Sequence, residues 1–220
     1  MIGCSDTLIK VCGLTRQEDA DVCVRLKANL TGFIFHPASP RNITPEAAAA
    51  IDTGAAMRVG VFLDQSPSEI RAVMDKANLF LAQLHGGQDE EFCQEIGRRK
   101  VMKVFWPERY AGIRELEQDM ERFAPFARFY LLDAGKSGGG HGKSLDFSFL
   151  GNLHSQKSWF LAGGLGPDNL PLALSQCSPC GVDLNSGVES APGIKDPEKL
   201  RQAFSKLCVK HTGKTISACG

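Results

Sequence analysis

Eight short apolar runs, each followed by a polar or glycine-bearing stretch, constrain this chain more than any single motif. They are LIKVC (8–12), GFIF (32–35), RVGVFL (58–63), LFLAQL (79–84), VMKVF (101–105), RFYLLD (128–133), WFLAG (159–163) and GVDLN (181–185). Their starts fall roughly 20 to 30 residues apart, enough for a strand, a helix and two short loops per unit. Several runs are continuous rather than alternating, as expected of parallel strands covered on both faces. The stretches between them carry helix-start chemistry. Thr15-Arg-Gln-Glu18 and Ser66-Pro-Ser-Glu69 read as capping boxes, with Pro67 suited to a first helical position. Thr44-Pro45-Glu46 and Asp196-Pro197-Glu198 repeat the arrangement of a capping residue followed by proline. Ile70, Val73, Met74 and Ala77 share one helical face, and Cys23, Leu26 and Leu30 are expected to form a similar stripe.

A strand–helix repeat with no Gly/Ser linker and no break in composition predicts one α/β domain over residues 1–220. The expected architecture is a single (βα)8 TIM barrel, with residues 210–220 as a fraying tail. An open doubly wound sheet is the alternative, but it usually carries a GxGxxG turn after its first strand. This chain has VCGLT there.

Composition narrows the function classes. Lys plus Arg and Asp plus Glu both total 25, so no global attraction to nucleic acid or anionic membrane is expected and any anion site must be local. No apolar run approaches the ~20 residues that span a bilayer. The first ten residues, MIGCSDTLIK, lack the apolar core of a secretory signal, so the expectation is a cytoplasmic protein. Its 8 cysteines are then expected to be reduced. Cys177-Ser-Pro-Cys180 supplies only two of the four ligands a structural zinc requires, and reads as a turn of small residues.

In a barrel, chemistry gathers at strand C-terminal ends and in the loops that follow. Cys12 ends the first run and Asp133 the sixth. A thiol is a base only as thiolate, so Cys12 needs a nearby positive charge or a cationic intermediate. Asp133 needs a partly apolar setting in which a carboxyl can hold a proton to donate. Arg41, on the proline-braced loop HPASPRN, suits bidentate capture of a carboxylate. Gly163 and Gly164 in LAGGLGPDN, and Ser186 and Gly187 in NSGVES, lie in the two loops that commonly form a barrel's phosphate site. Gly139 and Gly140 in SGGGHGK add a loop able to close on the same group. His36, Asp64, His85 and Asp183 share the same rim, where such residues either ligate a divalent metal or simply collect at strand ends.

The segments IKVCGLTRQEDA, GFIFHPASPR, VGVFLDQSPSEI, AQLHGGQDE, LLDAGKSGGGHGK, LAGGLGPDN and DLNSGVESAPGIKD resemble, in order and spacing, the phosphoribosylanthranilate isomerase family of tryptophan biosynthesis. The resemblance covers nearly the whole chain. It departs from the family pattern at His36, at HGGQDE and at His141. It implies an Amadori rearrangement without cofactor or metal, acting on a small phosphosugar in a monomer or homodimer. By resemblance, Asp133 protonates the furanose ring oxygen and Cys12 removes the C2 proton. Arg41 would hold the anthranilate carboxylate, and the glycine loops the phosphate. His85 and Asp183 are further substrate-binding candidates. The alternatives are a metal-dependent sugar-phosphate epimerase, a histidine-pathway isomerase (expected to have an aspartate where this chain has Cys12), and a non-catalytic phosphosugar-binding barrel.

Overall fold

The computed structural model describes residues 7–134 and 147–208. Eight parallel strands close into one barrel in chain order: β1 (Leu8–Val11), β2 (Leu30–Ile34), β3 (Met57–Phe62), β4 (Leu81–Leu84), β5 (Val101–Phe105), β6 (Phe129–Asp133), β7 (Trp159–Ala162) and β8 (Gly181–Leu184). Each expected run became a strand. Helices α1 (Gln17–Arg25), α2 (Pro45–Ala50), α3 (Pro67–Lys76), α4 (Glu90–Ile96) and α5 (Ile113–Phe123) follow β1 to β5 in turn. α6 (Leu170–Gln176) follows β7 and α7 (Pro197–Cys208) follows β8. After β6 the described residues contain only a 3-10 turn, Ser148–Leu150, where the repeat predicts a helix. The expected fraying segment, 210–220, and the loop glycines Gly139 and Gly140, with His141, lie outside the described residues.

Alternation of side chains along each strand builds two apolar layers. Ile9, Val11, Phe33, Phe62, Leu84, Phe105, Leu132 and Leu161 point outward into the helices. Leu30, Val59, Leu81, Met102, Val104, Leu131 and Phe160 fill the barrel interior, so the cylinder is packed rather than hollow. The same period aims Lys10 and Cys12 inward from β1, Gln83 from β4, Asp133 from β6 and Asp183 from β8. The strands thus fix which polar groups reach the mouth.

Local chemistry explains most helix starts. Ser66 accepts from the Glu69 N–H while the Glu69 carboxylate accepts from the Ser66 N–H, a complete capping box ahead of α3. Thr44 caps α2, and Asp196 accepts from the N–H groups of Glu198 and Lys199 at the start of α7. The capping box expected at Thr15 does not form. α1 begins one residue later, with Arg16 in the capping position and no side-chain cap, because the Thr15 hydroxyl donates to the Gly193 carbonyl at 2.7 Å. Leu30 also falls outside the expected stripe. The chain leaves α1 through Lys27 at φ 60°, and Leu30 begins β2, facing the barrel interior. A short antiparallel hairpin, β9 (Glu189–Ala191) with β10 (Ile194–Lys195), sits between β8 and α7. No strand pattern in the sequence announced it.

Candidate active site

A cavity of about 330 Å³ opens at the C-terminal ends of the strands, and Cys12, His36, Gln83, His85, Asp133, Gly163, Gly164, Asp183, Asn185 and Ser186 line it. The two side chains singled out as base and acid therefore meet at one mouth, although 121 positions separate Cys12 from Asp133 in the chain. A second hollow of about 390 Å³ lies against α5, lined by Glu117, Glu121, His154 and Gln156. No strand end opens into it. Its carboxylates already accept from the His154 N–H and the Gln156 amide, so the chemistry belongs to the first cavity.

Cys12 is buried, with its sulfur laid over the bare Cα of Gly32 on β2. A Cβ at residue 32 would stand 2.6 Å from that sulfur and 3.0 Å from the Cys12 Cα, so glycine is what leaves room for the thiol. Burial pushes the Cys12 thiol above its ordinary range. Lys10 chiefly, and Lys195 more weakly, pull it back down, while Asp183 adds to the rise. Beneath Cys12, Lys10 and Asp183 are register partners on β1 and β8, and the ammonium donates to both carboxylate oxygens at 3.0 and 2.9 Å. Burial disfavours the charge on Lys10, but Asp183 and Cys12 outweigh it and its pKa rises.

Asp133 and His85 form a partly exposed pair, with His85 Nε2 3.4 Å from Asp133 Oδ2. The other ring nitrogen lies 3.3 Å from the Gln83 amide nitrogen, and the ring packs edge-on against Trp106. An amide N–H can only donate, so this contact pairs when His85 Nδ1 is the acceptor. The Gln83 carbonyl oxygen is buried with no partner among the described residues.

Arg41 does not line this cavity. Its guanidinium is turned to Glu189 on β9, Nε lying 2.9 and 3.1 Å and Nη2 2.6 Å from the carboxylate oxygens. Glu189 also accepts from the fully buried Lys195 at 2.7 Å, and Lys195 donates to Asn185 at 2.9 Å. Burial works against the Glu189 charge, but the bonds from Arg41 and Lys195 prevail and hold its carboxyl below the usual range. Burial lowers the pKa of Lys195, with Glu189 opposing. The sequence reading missed Lys10, Gln83, Glu189 and Lys195. Lys10 alone left a signal: a charge two places before Cys12 in an otherwise apolar strand shares its face.

The loops after β7 and β8 suit an anion. Gly163 and Gly164 adopt φ of +117° and +67°, conformations that suit glycine and turn the backbone at the rim. Gly187 packs against the Leu165 carbonyl, holding the two loops together. Ser186 and Gly187 open a 3-10 turn whose first N–H groups have no carbonyl to bond within it, leaving donors for a ligand oxygen. The candidate metal ligands separate into pairs. His36 lies 3.7 Å from the exposed Asp64, His85 is with Asp133, and Asp183 is with Lys10. Among the described residues no three His, Cys, Asp or Glu side chains gather as a metal site.

Comparison with known proteins places this geometry in a family. Residues 9–206 match the family model described as N-(5'phosphoribosyl)anthranilate (PRA) isomerase. The chain is 49% identical over 210 residues to N-(5'-phosphoribosyl)anthranilate isomerase of Desulfovibrio desulfuricans, covering 96% of this chain and 100% of the relative. It is 48% identical to the protein of the same name from Maridesulfovibrio salexigens, over 91% and 98% of the two chains. The crystal structure of the Thermus thermophilus phosphoribosyl anthranilate isomerase superposes with a TM-score of 0.78 at 39% identity, covering 91% of this chain and 98% of that one. The closed barrel with Cys12 and Asp133 at one mouth, and the match along nearly its whole length, make this chain a member of the phosphoribosylanthranilate isomerase family.

Proposed function

We propose that this protein converts N-(5'-phosphoribosyl)anthranilate to 1-(2-carboxyphenylamino)-1-deoxyribulose 5-phosphate in the cytoplasm, with Asp133 as acid and Cys12 as base. The observation that carries the residue assignment is the single cavity shared by these two groups. In the proposed sequence Asp133 gives a proton to the furanose ring oxygen as the C1–O bond breaks, and the nitrogen lone pair forms a C1–N iminium. The Cys12 thiolate then takes the C2 proton, and the electrons of that bond neutralise the iminium to an enolamine. Loss of the proton from the C2 hydroxyl and protonation at C1 complete the ketone. The iminium is the cation that a buried thiolate needs opposite it, so base and intermediate match electrostatically.

Arg41, held by Glu189 through Nε and Nη2, is assigned to the anthranilate carboxylate through its remaining Nη1, and His85 to orienting Asp133. Gly163, Gly164, Ser186 and Gly187, together with Gly139 and Gly140, are assigned to the phosphate. Asp183 contributes to the cavity floor, where its carboxylate is already engaged by Lys10. No helix among the described residues is long and apolar enough to cross a membrane. The test is the loss of anthranilate-type fluorescence from freshly generated phosphoribosylanthranilate, run on the wild type beside Cys12→Ala. Turnover by the wild type and its collapse in the variant are expected. Equal rates would remove Cys12 from the mechanism.

A further inference from the structure

Lys10 and Asp183 are the ion pair that interrupts the apolar interior of the barrel, with side chains 0% and 6% exposed. Enclosing two charges carries a desolvation cost that their attraction does not readily return, and apolar replacements of similar volume are often neutral or stabilising. Stability is therefore a poor reason for the pair to stand here. Its position supplies a better one. Lys10 lies two residues before Cys12 on the inward face of β1, and Gly32 confines the sulfur to that side of the mouth.

The donor count then matters. An ammonium has three N–H groups. Two of them satisfy the two oxygens of Asp183, which leaves one. The next inward-facing side chain up the same strand is Cys12, and the Lys10 charge acts on it. Other charges reach the thiol from several elements. Arg41 and Lys195 are both engaged by Glu189, Asp183 lies on β8, and His36, His85 and Asp133 face the same cavity. Lys195 also keeps one N–H, but Lys10 shares the inward face of the strand that leads into Cys12 and is the stronger of the two charges acting on the thiol.

We propose that Lys10 is a positioning residue: Asp183 pins its ammonium so that the remaining N–H stabilises Cys12 as thiolate, readying the base before substrate arrives. The inference rests on the assignment of Cys12 as base. The ultraviolet absorbance of the thiolate is titrated against pH, subtracting the Cys12→Ala background, in the wild type, Lys10→Met and the double variant Lys10→Met/Asp183→Asn. The double variant removes both charges, so it stays foldable if a lone buried Asp183 unfolds the single one.

The Cys12 midpoint is expected to move to higher pH by about one unit in the double variant, within the range an opposite charge produces. It should move further in the single variant, where Asp183 opposes the thiolate unbalanced. The rate at neutral pH should fall about tenfold for each pH unit by which the midpoint rises, and should recover as the solution is made more alkaline. A midpoint that stays in place while activity falls equally at every pH would make Lys10 structural and overturn the proposal. If Cys12→Ala retained full activity instead, the base assignment would fail. The titration would still report whether Lys10 governs the thiol.

Discussion

Cys12 and Asp133 carry the sharpest consequences at the scale of single residues. General acid and base groups typically contribute ~10²- to 10⁴-fold each, so Cys12→Ala or Asp133→Asn should lose at least that much turnover. Unchanged urea unfolding midpoints would show that the fold is intact. The sign of the pH dependence follows from the environment of Cys12. The active form is the thiolate, and burial lifts the thiol above its ordinary range. The rise in kcat/KM should therefore lie on the alkaline side, with activity increasing as pH increases. A profile flat from neutrality upward would contradict the free thiol as the titrating base. Arg41→Ala should raise KM more than it lowers kcat, because the carboxylate it is assigned to is remote from the reacting carbons. Steady-state kinetics that left KM unchanged would withdraw that role.

The reach of sequence reading is clearest at the scale of elements. Ser66, Thr44 and Asp196 behaved as local chemistry requires, since a cap needs only its own next few residues. Ser66→Ala should cost about 1 kcal/mol, read as a lower unfolding midpoint with no change in kcat. Thr15 carried the same local signal, but its hydroxyl found the Gly193 carbonyl, 178 residues away, and the cap was lost. The β9–β10 hairpin escaped notice for a related reason. Its strands have three and two residues, too few for a period to show. Yet it delivers Glu189 and Lys195 to the back of Arg41. Gly32 on β2 tests how tightly the strands hold the site. Gly32→Ala should displace the Cys12 sulfur, because the new Cβ also meets the Cys12 backbone. The variant should fold and lose most of its activity, and a near-normal rate would show that the thiol has room to spare.

For the molecule as a whole, buried thiols set an alkaline limit on stability. Burial pushes Cys23 and Cys177 up to about 12 and Cys93 to about 11. Unfolded thiols ionise near ~8.5, so these groups favour the folded state fully below that pH. The advantage is lost progressively as pH rises toward 11 and 12, and urea midpoints should fall across that interval. Cys23→Ala, Cys93→Ala and Cys177→Ala combined should flatten the decline. By itself the sequence determined the eight strands and the two strand ends at which Cys12 and Asp133 stand. Those depend on apolar periodicity and on residues close to one another in the chain. Only the tertiary structure decided which polar groups pair: Lys10 with Asp183, and Arg41 with Glu189 and then Lys195. Partner choice between charges depends on distance in space and on the water removed around them, and neither is written into local residue order.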